Sequence, residues 1–322
     1  MLSRLPGFEP SRTSDAMPEP ERRDQSDELI NVQLQANGTH RVVLPEHLNP
    51  GLSMRVQACS GFIERAVQRF RKMGHTTVDF NIQLHDDEPN NPCFLIDAAA
   101  NQDPNKLPLI PDFYCLGSGG YAMLRNQFRK LPPWNERSPI AIWRGSSTGR
   151  GQLNEQKIQK LQRYKLCRFT LSHPGWLDAR FNAVVEAKSI EAKQDIMNHL
   201  NRLDLLRPRM EPAHMGLHRW ILDIDGNVNS WGLLWKLLSG SCVLQVESPR
   251  QQWFYRKLSP WQTHIPIERD LHDLPEKLEW CRNNPLTCAE IAHKGQQTAN
   301  NVIDTLDSDQ DQAVDVYAKH NL

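Results

Sequence analysis

The sequence has no excess charge of either sign. Lys and Arg together number 38, as do Asp and Glu, in a chain of 322 residues. A zero balance argues against general binding to nucleic acid or an anionic membrane, and leaves open only a local basic cleft. Long apolar runs are also missing. None approaches the ~18 residues of a membrane helix, and the N-terminus lacks an apolar core of signal-peptide length. The expectation is a cytoplasmic protein, at most peripherally attached at the inner face of a membrane; no strongly amphipathic basic helix marks such contact. The seven cysteines, at 59, 93, 115, 167, 242, 281 and 288, contain no C-x-x-C pair. That spacing supports neither a disulfide framework nor a zinc site, and the histidines show no metal-ligand spacing. No repeat recurs at a period of about 20–50 residues.

What remains is the composition of an ordinary globular protein, 39% hydrophobic and 24% charged, long enough for about two domains. Residues 1–28 are rich in Pro, Ser, Glu and Arg and read as a disordered tail. Residues 29–34 and 40–44 read as a hairpin around Asn37-Gly38. A helix is expected over 53–73, ended by Gly74, and strands over 76–84 and 93–96. Residues 107–121 (LPLIPDFYCLGSGGY) lack periodicity and read as a functional loop, followed by a short helix at 121–129. Pro132-Pro133-Trp134 marks a boundary. Beyond it we expect a strand at 140–143, a polar helix at 152–164, a strand at 168–171, a mostly polar helix over 183–205, helices at 251–258, 274–282 and 285–303, and a polar tail from 304 to 322.

The most informative stretch is 219–248. Trp220, Ile221, Leu222 and Ile224 suit a strand covered on both faces. Asp225-Gly226-Asn227 is turn chemistry, and Asn229 or Ser230 can cap a helix whose Trp231, Leu234, Trp235 and Leu238 form one stripe. Gly240 ends it, and Cys242–Val246 is the next strand. Strand–helix–strand is the unit of a parallel sheet, and such sheets bind ligands at the carboxyl ends of their strands. A phosphate-bearing ligand is therefore expected at Gly226, Asn227, Val228, Asn229 and Ser230. A second loop, Arg144-Gly145-Ser146-Ser147-Thr148-Gly149-Arg150, follows a strand and is bracketed by arginines suited to the same phosphates.

Taken in order, these residues resemble glycosyltransferase family 90, the group of fungal capsule-associated proteins, bacterial lipopolysaccharide-modifying enzymes and Rumi-type protein O-glucosyltransferases. The likeness lies in Trp143-Arg144-Gly145-Ser146, in 221–241, in Trp253-Phe-Tyr-Arg-Lys-Leu-Ser-Pro-Trp261, in His264-Ile-Pro266, in Asp270-Leu-His-Asp-Leu274 and in Ile291-Ala-His-Lys-Gly295. It implies an α/β, GT-B-like architecture, two Rossmann-like domains facing across a cleft. These would be an acceptor-side domain at 29–134 and a nucleotide-sugar domain at 135–303. It also implies inverting, metal-independent transfer from a UDP-sugar to a glycan, lipopolysaccharide or capsule acceptor, with no cofactor, and the bacterial branch is expected. Arg144, Gly145, Ser146, Ser147, Thr148 and Arg150 join the 226–230 turn as donor-binding residues. An arginine that the animal enzymes carry is replaced by Gly232, and Lys236, one turn on, is expected to substitute for it. The animal enzymes' catalytic aspartate is also missing, which leaves Asp112 as the expected base.

Three other readings stay open. Asp223-Ile-Asp225 matches a metal-binding D-x-D. Gly145-Ser-Ser-Thr-Gly149 matches a serine-hydrolase elbow with Ser147 as nucleophile. The two departures from the family pattern also fit a non-catalytic, regulatory nucleotide-sugar binder.

Overall fold

The computed structural model describes residues 29–86, 89, 91–148 and 151–322. The expected tail at 1–28 and Arg150 lie outside the described residues. The chain opens with β1 (Leu29–Leu34) and β2 (His40–Val43), a hairpin whose turn places Gly38 at φ 81°. Next come α1 (Pro50–Lys72) and β3 (Val78–Gln83). Asn49 caps α1 by accepting the Leu52 N–H, and Pro50 fills the first turn, where its missing donor costs nothing. These strands form an antiparallel sheet in the order β2-β1-β3. The first half is therefore not the parallel Rossmann-like unit expected: a tight hairpin can only join antiparallel strands.

β4 (Ala98–Ala99), α2 (Phe113–Gly117) and α3 (Ala122–Phe128) lead into the parallel unit. This contains β5 (Ala141–Ser146), α4 (Glu155–Ile158), α5 (Gln162–Ser172), β6 (Leu177–Ala183), α6 (Ile190–Arg202), α7 (Pro212–Met215), β7 (Trp220–Asp223), α8 (Leu233–Leu238) and β8 (Cys242–Val246). β9 (Arg250–Gln251), β10 (Ile265–Ile267), α9 (Leu274–Asn283), α10 (Pro285–Asp304) and α11 (Leu306–Asn321) complete it. The main sheet runs β10-β8-β7-β5-β6, all parallel. One face buries Trp143, Phe181, Trp220 and Leu244 against α5, α6 and α9; the other buries Ile142, Ile221 and Val243 beneath α7, α8 and α10. Both faces are apolar because both are covered, as the continuous run at 220–224 suggests.

Several elements differ from expectation. Residues 168–171 belong to α5, where Tyr164, Cys167 and Thr170 are buried at helical spacing. The edge strand is instead β6, whose alternation of buried and half-buried residues (Leu177, Ala179 and Phe181 inside) is strand periodicity. The 152–164 helix breaks into α4 and the start of α5, the 183–205 helix begins only at Ile190, and 251–258 holds β9 and a short 3₁₀ turn.

The expected tail is α11. Its Ala313, Val314 and Tyr317 pack on α1, and Asp307, Asp311 and Asp315, one per turn, meet Arg65 (2.6 and 3.0 Å) and Arg69 (2.6 Å). The last helix thus closes the core of the first unit, and Phe62, Phe70, Phe80, Phe94 and Tyr317 form its aromatic centre. Among the described residues no helix is long and apolar enough to cross a membrane.

Candidate functional site

β5 leads on to β6 at one side of the sheet, whereas β7 and β8 lie on its other side. The winding reverses between β5 and β7, and a crevice forms at such a switch point outside the carboxyl ends of the strands. Ser146, Ser147 and Thr148 leave β5 at this point, and 224–228 leave β7. The two expected loops therefore meet. A Cβ placed on Gly226 would stand 2.5 Å from Thr148 Oγ1 and 2.8 Å from Arg163 Nη2, so glycine is required by contact rather than by backbone angle.

The side chain that joins the loops is Arg163, on the first turn of α5. Its Nε donates to Asp225 O (2.7 Å), its Nη1 to Ser146 O (3.0 Å) and to Thr148 Oγ1, and its Nη2 to Ile224 O (3.2 Å). One planar guanidinium thus satisfies carbonyls from both strand ends. It lies 5.7 Å from the centre of the Trp143 ring. Burial pulls its pKa down to about 10, and the charges of Asp225 and Asp223 oppose that shift. No spacing in the sequence singles out Arg163. The available signal was its place at the start of the helix after the glycine loop, from which a long side chain reaches back over that loop.

Arg144, expected at the phosphates, lies elsewhere. Its guanidinium folds back along the sheet, donating to Trp143 O (2.8 Å) and Asp178 O (2.7 Å) and pairing with Asp178 at 2.5 Å. Asp178 is in register with Ile142, two residues upstream, so the charge sits away from the strand ends. Trp143 occupies the space above Gly145, where any Cβ would overlap the indole. Ser147 is fully buried; its Oγ donates to Val185 O and accepts from Val185 N, both at 2.9 Å. It stitches β5 to the chain beyond β6 and cannot serve as an exposed nucleophile.

In the second loop, Asn227 Nδ2 donates to Glu186 Oε1 (2.7 Å) and to Asp86 Oδ2 (3.3 Å). Asp86 follows β3, so this contact spans the two units. Val228 and Asn229 are buried. Ser230 does not cap a helix: its Oγ donates to Asp223 (2.6 Å), and the cap position of α8 is Gly232, which has no side chain to offer. Nor is α8 amphipathic, since Leu233, Leu234, Lys236, Leu237 and Leu238 are all buried. Lys236 is correspondingly not a free cation. Its Nζ meets Asp223 Oδ1 at 2.5 Å with both side chains enclosed. A Cβ on Gly232 would stand 2.9 Å from Trp235 Nε1 and 3.3 Å from Lys236 Cε, so packing already fills the place of the family's arginine. Asp223 is committed to Lys236 and Ser230, and Asp225 Oδ1 accepts the Ser230 N–H at 3.2 Å. The D-x-D carboxylates thus serve the loop itself. We expect Gly226→Ala to force the loops apart and cost about 1–3 kcal/mol, measured as a lowered denaturation midpoint with an unchanged slope.

Asp112 caps α2, accepting from Tyr114 N (2.9 Å) and Cys115 N (3.1 Å), and its exposure is 0%. In place of a solvent-facing base, the position holds a buried turn. Burial raises its pKa to about 7, against the opposing effect of the two backbone N–H groups and Tyr121. The folded state therefore keeps a proton that an unfolded aspartate releases near pH 4. The stabilisation is complete below that value and is lost as pH rises toward 7. Asp112→Asn retains the cap, so it should flatten the pH dependence of stability between about 4 and 7 and leave the variant more stable than the parent at pH 8.

A profile of Glycosyl transferase family 90 matches residues 121–311, more than half of the chain and all five strands of the parallel sheet. The chain belongs to this family. Similar proteins include the uncharacterized protein 179R of Invertebrate iridescent virus 6, 28% identical over 180 residues, which are 50% of this chain and 15% of that protein. Human protein O-glucosyltransferase 3 is 26% identical over 53% of this chain and 30% of its own. Protein O-glucosyltransferase 2 of Danio rerio is 25% identical over 57% and 33%. The matched stretch thus covers a third or less of these relatives. They are viral and animal proteins, and the expected bacterial branch is not borne out.

Proposed function

We propose that the chain transfers a sugar from a UDP-sugar to an acceptor hydroxyl, with inversion and without a metal ion. The observation that carries this is the meeting of the 146–148 and 224–230 segments at the switch point of a parallel sheet, pinned by Arg163. Membership of the family supplies the reaction class. The backbone of 226–230 and Thr148 then line the site for the donor's diphosphate, with Arg163 holding the loops rather than carrying the charge alone. Arg144 and Lys236 act through Asp178 and Asp223. An inverting transfer needs a base on the acceptor side of the donor. We assign that role to Asp86 in preference to the enclosed Asp112, because Asp86 reaches the donor loop from the first unit. The acceptor is a glycan, lipopolysaccharide or capsule hydroxyl; the name of the animal relatives adds a protein hydroxyl to that class.

The pairing of Lys236 and Arg144 with carboxylates also favours a second reading, a nucleotide-sugar binder without turnover. One experiment separates the two. The protein is incubated with a panel of UDP-sugars, with and without glycan acceptors, and free UDP is measured. Acceptor-stimulated release of UDP supports transfer. Saturable binding without release on any acceptor supports the binder, and absence of any binding removes both.

A further inference from the structure

Arg55 belongs to α1, yet its side chain ends beside the donor turn, and the transfer reading leaves it without a role. Its Nη1 donates to Leu84 O. The guanidinium carbon lies over the Trp231 ring, 4.9 Å from its centre, and 5.5 Å from the centre of Phe113. Trp231 directly follows the 226–230 turn. The same Nη1 stands 3.6 Å from Asp86 Oδ1. One cation therefore touches both the segment that carries Asp86 and the segment that carries the turn. Arginine suits this place because its flat guanidinium packs on aromatic faces while its N–H groups reach oxygens.

Asp86 is thus held from two sides. Asn227 Nδ2 donates to its Oδ2 at 3.3 Å, and Arg55 faces its Oδ1. At 3.6 Å the second contact attracts as an ion pair but is too long for a hydrogen bond. Oδ1 is buried, and among the described residues it has no hydrogen-bond donor. Native structures hold few such atoms, because lost hydration is not made good. A hydroxyl supplies the missing donor and leaves the negative charge in place until the proton moves. In the transfer, the acceptor oxygen bonds to the anomeric carbon, the bond to the diphosphate breaks, and the hydroxyl proton passes to a base within hydrogen-bond reach. We propose that Arg55 is a positioning residue for this step: it fixes the Asp86 carboxylate against the donor turn, with Oδ1 left to take the acceptor hydroxyl. This rests on the donor site and on the role of Asp86 assigned above.

A double-mutant cycle tests it. Parent, Arg55→Met, Asp86→Asn and the double variant are compared by acceptor-stimulated UDP release from a panel of UDP-sugars and glycan acceptors, by UDP titration and by thermal melting. Arg55→Met should lower kcat by about 10²-fold and keep the UDP affinity within about twofold. Added to Asp86→Asn, it should cost nothing further, because it acts through that carboxylate. A residue that only supports the fold would lower the melting point and the UDP affinity while its effect multiplied with that of Asp86→Asn; that result overturns the proposal. So does an Arg55→Met variant that turns over like the parent while Asp86→Asn is inactive, and then Asp86 stands as the base. Should Arg55→Met melt below the assay temperature, Arg55→Lys, which keeps stem and charge but not the planar fork, gives the same comparison. Normal turnover by Asp86→Asn removes the base and the role of Arg55 together, with the donor site intact. A parent that binds no UDP overturns the donor site itself.

Discussion

Replacing Arg163 with methionine is expected to lower stability by about 4 kcal/mol, on the order of 10 °C in melting temperature, and to abolish nucleotide-sugar binding. Methionine keeps the aliphatic stem, so what is lost is the guanidinium, together with its place over the Trp143 ring. Three backbone carbonyls, of Ser146, Ile224 and Asp225, and the Thr148 hydroxyl then lose their shared donor at once. Asp225, whose carboxyl pKa burial already raises to about 6, also loses the Arg163 charge that opposes that shift. Lysine should not rescue the variant, because one ammonium cannot reach acceptors on both loops. Chemical denaturation and titration with UDP check both parts. A variant that binds UDP like the parent would show that the loops hold their geometry without the clamp.

Asp86→Asn is expected to reduce turnover by roughly 10²- to 10⁴-fold with little change in donor affinity or stability. Asparagine keeps an oxygen for the bond from Asn227 and gives up only the partly exposed pairing with Arg55 at 3.6 Å. The loss should therefore fall on kcat. Asp112→Asn serves as the contrast: it alters the pH dependence of stability and leaves kcat near that of the parent. If the two variants exchange behaviour, so that Asp112→Asn is inactive while Asp86→Asn turns over normally, Asp112 is the base and the crevice must open to reach it.

The loops were legible because glycine, hydroxyl and turn residues at strand ends are local signals. The run at 220–224, the turn at 225–227 and the strand Cys242–Val246 each followed from short-range chemistry, and the structure joins them as a parallel crossover. Side-chain roles within those loops were less legible. Lys236 reads as a donor-binding substitute for the arginine absent at Gly232, since its i±3 and i±4 neighbours do not reveal that Asp223 pairs with it. Arg144 reads as a phosphate ligand until β6 brings Asp178 beside it.

The tail shows the same division. Carboxylates at 307, 311 and 315 look like a soluble end, and become a packed face only because Arg65 and Arg69 stand at the matching rise along α1. Two glycine-bearing turns, the parallel sheet that carries them and the family to which they belong are already legible in the order of residues. Which cation holds those turns together, which carboxylate of the first unit touches them, and that the last helix completes the first core depend on tertiary structure. The reason is physical: turn and strand preferences act over a few residues, whereas ion pairing and burial depend on partners as far as 246 positions away in the chain, which only the fold brings within reach.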